Sequence, residues 1–163
     1  MNPQIFIDAK KFLKNDQDQL IDDVENIIKC LKENHINDYS FLVAPAAKAY
    51  EGYLKDFFFD LEIINEYDYH SDRFRVGKTL NPSLRYKRFS IYKKLTDIHE
   101  DGEKLAEKLW SAWKQGRNEI FHYFPGNVKK LNLIEAQDCI TLILKAIIES
   151  GTFMQQYKQN YLL

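Results

Sequence analysis

An all-α bundle is the fold class this sequence predicts, on three observations. The chain of 163 residues has only 6 Gly and 4 Pro, too few turn formers for a sandwich or barrel of many short strands. Its 45% hydrophobic and 14% aromatic content belongs to a packed globule, not a disordered tail. Apolar residues recur at three- and four-residue spacings through most of the length. The size suits a single domain, 1–163, able to bury one substantial core.

The elements follow in order. A short first helix is expected from about Asp8 to Lys14. A clearer one runs from about Asp16 to Asn34, with Leu20, Val24, Ile27, Ile28 and Leu31 in helical register and acids in its first turn. The strongest spans roughly Tyr39 to Ile64, with Asp38 as N-cap and Pro45 near the start, where its missing N–H costs least. Ala44, Ala47, Tyr50, Leu54, Phe57, Phe58 and Leu61 mark its apolar face, and Ala46, Ala49 and Gly52 add small residues that admit a close helix neighbour. From Asn65 to Arg88 the pattern dissolves into Tyr, Asp, Arg, Gly and Pro, which reads as a long loop with one short helix. A short helix near Ser90–His99 follows, then one from about Asp101 to Gln115 with Leu105, Leu109, Trp110 and Trp113 inward. Gly116 interrupts it, and Pro125-Gly126-Asn127 is a firm stop. The last helix, about Leu133 to Tyr157, is apolar all round at its centre and is expected to be the buried element. The sum is an up-and-down bundle of four main helices plus short ones.

Several classes are disfavoured. The N-terminus has no cationic stretch followed by an apolar run, so it does not read as a signal peptide. No apolar window reaches membrane-spanning length, because Lys145 breaks the nearest candidate. Cys30 and Cys139 fit no metal spacing and read as two buried thiols in a reducing compartment. His35, His70 and His99 lack partner spacing for a metal, so no cofactor is expected. The chain reads as cytoplasmic, with no membrane partner.

The net charge of −1 hides an asymmetry. Between Arg73 and Lys94 lie eight basic residues (Arg73, Arg75, Lys78, Arg85, Lys87, Arg88, Lys93 and Lys94) and no acidic one, leaving 15 basic against 24 acidic residues, −9, elsewhere. These cations alternate with Phe74, Tyr86, Phe89 and Tyr92, a composition suited to single-stranded nucleic acid, where cations track phosphates and rings stack on bases. The other reading is a solvated loop whose aromatics anchor it and whose cations pair with the early acids Asp16, Asp18, Asp22, Asp23 and Glu25.

Chemistry centres on Arg117-Asn118-Glu119-Ile120-Phe121-His122. Histidine moves protons near neutrality, and arginine grips a phosphate with two forked hydrogen bonds. Asn118 can set the histidine tautomer or bond to the phosphate. On an ideal helix Arg117 and His122 stand about 140° apart while Asn118 and His122 share a face. Spacing alone therefore favours a salt bridge or cap.

The segment resembles the R-x4-6-H motif of the HEPN superfamily, set late in an all-helical domain before a long apolar helix. Upstream, Val43-Ala44-Pro45-Ala46-Ala47-Lys48-Ala49-Tyr50-Glu51-Gly52-Tyr53-Leu54-Lys55 resembles the HEPN domain of RnlA/LsoA-type toxins, with its Ala-Pro…Glu-Gly…Leu-Lys pattern. The resemblance is strongest over 39–154. It implies a metal-independent endoribonuclease, a toxin of a toxin–antitoxin or phage-defence system with RNA as substrate. It also implies a homodimer whose two motifs face each other, and an antitoxin partner. Arg117 and His122 match the catalytic pair, Asn118 the polar neighbour and Glu51 the acid of the upstream helix. RNA-binding residues are expected at Arg73, Arg75, Lys78, Arg85, Lys87 and Arg88. Two departures stand out. Phe124 occupies the place of the modified tyrosine of toxins paired with nucleotidyltransferases, with Tyr123 beside the histidine instead. The chain also lacks the N-terminal domains of full-length RnlA-type toxins, so it is either a stand-alone version or an excised domain. The alternative is a non-catalytic HEPN-like bundle that docks a protein such as an antitoxin.

Overall fold

Helix α3, Val43–Asp60, is the element around which the others pack in this computed structural model, which describes residues 1–31 and 36–161. Its start is built by Asp38, whose carboxylate accepts hydrogen bonds from Ser40 N at 3.0 Å and Ser40 Oγ at 2.6 Å. These bonds hold a 3-10 turn, Ser40–Leu42, that leads into the helix. Asp38 thus caps the turn, not the α-helix itself, which begins four residues later than predicted. Pro45 falls in the first turn, where its missing N–H breaks no bond. On the buried side lie Ala46, Tyr50, Leu54 and Phe58, and burying a side chain of the size of Leu54 or Phe58 contributes about 1.5–3 kcal/mol.

The remaining helices are α1 (Gln4–Lys10), α2 (Asn15–Cys30), α4 (Glu66–His70), α5 (Val76–Thr79), α6 (Ile91–Ile98), α7 (Gly102–Trp113) and α8 (Leu133–Tyr161), with no strand among the described residues. The all-α prediction holds, and α2, α3, α7 and α8 are its four main helices. Helix α2 packs on α3 where Gly52 admits it: a Cβ there would lie 3.3 Å from Gln17 Nε2. Helix α8 packs on α1, α3 and α7, and α6 on α7. Buried hydroxyls pin the bundle crosswise. Tyr50 OH donates to Leu109 O at 3.0 Å, and Tyr53 OH meets Ser150 Oγ at 2.8 Å. Asp56 gathers Lys14 Nζ (2.5 Å), Gln17 Nε2 (2.5 Å) and Tyr69 OH (2.6 Å), tying α2, α3 and α4 together. Tyr69 is thereby structural, whereas Tyr67, two residues before it on α4, is exposed.

Several expectations need correction. Helix α1 starts earlier and ends earlier, because Asn2 Oδ1 accepts the N–H of Gln4 at 3.0 Å and Phe6 and Ala9 supply its buried face. Helix α2 ends at Cys30, and the predicted continuation to Asn34, with His35, falls at residues outside those described. Ala44 is exposed, not part of the apolar face. The Asn65–Arg88 loop holds α4, α5 and a 3-10 turn, Pro82–Leu84. The most enclosed helix is α3, not α8, which exposes Ile134, Asp138, Lys145 and Glu149 along one side. The cysteines are free, but Cys30 is exposed and Cys139 is half-buried, so neither is a fully buried thiol. Among the described residues no helix is long and apolar enough to cross a membrane.

Asp38 also reaches across the fold. It accepts from Leu131 N at 3.2 Å and Asn127 Nδ2 at 3.3 Å, holding the connection before α8 against the entry to α3. Partial burial pushes its carboxyl up, but the donors on Ser40, Leu131 and Asn127 outweigh that and hold it at about 2. A depressed carboxyl contributes stability above its unfolded value and loses it as pH falls toward the folded one. Wild type is therefore expected to exceed Asp38→Asn by about 1 kcal/mol in urea unfolding at neutral pH, the difference fading between about pH 4 and about pH 2. A difference unchanged down to pH 2 would show that the carboxylate charge is not what holds this connection.

Candidate functional site

The motif begins where α7 stops being an α-helix. After Trp113 the backbone makes one π-helical turn, Lys114–Asn118, closed by Glu119 N–H to Lys114 O at 2.9 Å. Such i→i+5 turns are rare and cluster at functional positions. Gly116 is the reason the turn fits. It is buried against α8, where a Cβ would lie 2.7 Å from Ile143 Cγ1 and 2.9 Å from Ile143 Cδ1. No α-helix continues to His122. Arg117 sits in the π turn and His122 in the irregular stretch beyond it, so the 140° separation of an ideal helix does not describe this segment.

The two motif residues have different supports. The Arg117 guanidinium lies over the Trp113 ring, 5.1 Å from its centroid, within range of a cation–π attraction. Its Nη2 is 3.8 Å from Glu51 Oε2 on α3, and the side chain remains 38% exposed. His122 Nε2 meets Asn118 Oδ1 at 3.1 Å. Because an amide oxygen only accepts, Nε2 carries the proton and Nδ1 of the neutral ring is left as the basic nitrogen. The structure thus brings Glu51 to Arg117 and Asn118 to His122. Among the described residues no hydrogen bond joins Arg117 to His122.

The surroundings are unusually apolar for an exposed region. Phe121, Tyr123 (79% exposed), Val128 and Ile134 all face outward on the stretch from the motif into α8, and the turn between them uses left-handed backbone at Gly126 (φ 77°) and Asn127 (φ 50°). Glu119 lies between Lys114 at 3.6 Å and Lys129 at 4.0 Å.

The basic segment keeps its cations at the surface, with Arg75 Nη1 donating to the carbonyls of Asp72 and Phe74. Arg73, Arg75, Lys78, Arg85, Lys87 and Arg88 are all exposed, and among the described residues none of the six has an ion pair. Three of the five early acids are served instead by Lys10, which pairs with Asp22, with Glu25 at 3.1 Å and with Asp18 at 3.8 Å. Among the described residues the segment therefore makes no ion pair with the acidic helix. Lys78 lies 5.1 Å over Phe89 and Lys87 4.8 Å over Tyr86, both rings outward. Phe74 packs against the core and Tyr92 is buried, so two of the four aromatics anchor and two are presented. Lys93 pairs with Asp97, and Lys94 donates to Ile63 O at 2.7 Å.

His70 ends α4, and His99, after α6, accepts Asp101 N–H at 3.1 Å. Among the described residues no group of three or more His, Cys, Asp or Glu side chains is placed to hold a metal. Trp113 is buried, as expected of a core residue, yet its ring also carries Arg117, a role hinted at only by the four-residue Trp–Arg spacing.

Gly116→Ala is expected to cost about 1–3 kcal/mol of stability, the usual effect of forcing an extra methyl into a packed contact. Ile143→Ala in the same chain should recover part of that loss relative to the sum of the single changes. Strict additivity in urea midpoints would show that the Gly116–Ile143 approach does not shape the turn. Comparison with family models, curated proteins and solved structures returns no match.

Proposed function

We propose that this chain is a metal-independent endoribonuclease of the HEPN type, acting as a toxin in a toxin–antitoxin or phage-defence system. The observation that carries the reading is that one short connection presents a half-exposed guanidinium and an exposed imidazole, each with its own orienting partner. Glu51 and Trp113 direct Arg117, and Asn118 fixes the His122 tautomer. His122 Nδ1 takes the proton from the ribose 2′-hydroxyl as its oxygen attacks the adjacent phosphorus, and the 5′-oxygen leaves with a proton returned to it. Arg117 binds the non-bridging oxygens and offsets the charge that grows on them. That no hydrogen bond joins the two supports a site completed by a second copy, His122 of one facing Arg117 of the other across a two-fold axis. The outward Phe121, Tyr123, Val128 and Ile134 supply apolar area for such an interface. The exposed cations of the basic segment, Arg73, Arg75, Lys78, Arg85, Lys87 and Arg88, track the RNA backbone while Tyr86 and Phe89 stack on bases. RNA available to such an enzyme is cytoplasmic, and an antitoxin protein would hold it inactive.

The same outward apolar side chains favour a second reading, a non-catalytic bundle that docks a protein partner. Cleavage of a mixed single-stranded RNA pool in EDTA separates the two. Wild type is expected to cut, His122→Ala to lose roughly 100-fold or more, and DNA of the same sequences to stay intact because it lacks the nucleophile. An inactive wild type, or equal activity in both proteins, leaves the docking reading. Binding is tested separately with His122→Ala as the uncleaving background. Changing Arg85, Lys87 and Arg88 together to Ala should lower the slope of log affinity on log salt by about 2. An unchanged slope removes the basic segment from the RNA-binding surface.

A further inference from the structure

Arg117 is aimed by a ring that a different part of the chain holds still. Trp113 is only 3% exposed, so its indole cannot swing away from the guanidinium above it. Against its Nε1 edge lies Gly77, in α5 within the basic segment. A Cβ at residue 77 would collide with Trp113 Nε1 and lie 3.0 Å from Cε2. The rest of α5 is fixed as well: Val76 is fully buried, and α5 packs on α3, the helix that carries Glu51. The basic segment and the arginine are therefore seated on the same indole.

We propose that Trp113 is the positioning residue for Arg117, and that Gly77 couples the seat of the basic segment to it. This inference rests on Arg117 acting on substrate, as proposed above. A guanidinium held by one ring and one carboxylate 3.8 Å away has no deep socket, so its aim depends on where the ring lies. Misplacing a substrate-gripping group by about 1 Å can cost about 100-fold in rate. The segment bearing Arg73, Arg75, Lys78 and Arg85 is thus not an independent appendage. Any shift of α5 that reaches Gly77 reaches the arginine through one contact.

The test is a cycle of Gly77→Ala, Trp113→Leu and the double variant. Leucine removes the ring whose Nε1 and Cε2 a Cβ at residue 77 would meet. Gly77→Ala is expected to lower kcat roughly 10- to 100-fold with KM within about 3-fold, because binding by the exposed cations survives while aim is lost. Trp113→Leu should cost a similar factor, since no ring is left to hold the cation. The double variant should be no worse than Trp113→Leu, because the added methyl then meets no indole. Losses that multiply in the double variant, or a Gly77→Ala enzyme with unchanged kcat, overturn the proposal.

A readout independent of cleavage is the Arg117 Nε–Hε proton resonance, identified by its disappearance in Arg117→Lys. The ring should shift it upfield in wild type and Trp113→Phe. The shift should vanish in Trp113→Leu, which also decides the matter if Gly77→Ala does not fold. An unshifted resonance in wild type, or one indifferent to Trp113→Leu, sinks the positioning role. If wild type cuts no RNA, the ribonuclease reading fails on that result alone, and the coupling is judged by the resonance.

Discussion

Gly116 stands where α7 would otherwise continue past α8, and the absence of its side chain lets the chain press against Ile143 and turn wide. From that contact follow the geometry of everything after it. The π turn carries Arg117 back over Trp113 and toward Glu51, and it releases the backbone at Glu119. His122 is then free to reach Asn118 from outside a regular helix. A continuous α-helix through this stretch would instead have put arginine and histidine on different faces.

Rigid surroundings make that local device useful. Helix α3 is fixed by buried hydroxyls at Tyr50 and Tyr53 and by the cluster at Asp56, so Glu51, one residue from Tyr50, has a defined position. The connection from the motif to α8 is held at Asp38 through Asn127 and Leu131. The charge layout points the same way. Lys10 attends to three of the acids of α2, which leaves the cations of the 73–88 segment facing solvent. Like charges gathered at one surface raise the local positive potential.

Most of the fold was legible because its signals are local. Ser90 caps α6 through Lys93 N, as its place before an apolar run suggests. The small residues of α3 do admit α2, at Gly52. The π turn was less legible: Gly116 marks an interruption, but nothing in residue spacing separates a π turn from a helix end. The 73–88 segment was read as a loop because its short helices are stabilised by docking, with Val76 and Leu80 buried, not by propensity. At the site, the Asn118–His122 pair follows from four-residue spacing. The Glu51–Arg117 and Gly77–Trp113 contacts join distant positions, and no pattern along the chain encodes them. Burial of the two cysteines was misjudged because a helical environment does not say which face a residue takes.

The central claim is that Arg117 and His122 act together across two copies of the chain. Mixing inactive Arg117→Ala and inactive His122→Ala proteins under conditions of subunit exchange tests it most directly. In a mixed dimer one of the two composite sites keeps both its arginine and its histidine. The mixture should then recover about a quarter of wild-type RNA cleavage once exchange is complete. A mixture that stays inactive while labelled subunits demonstrably exchange would contradict the account.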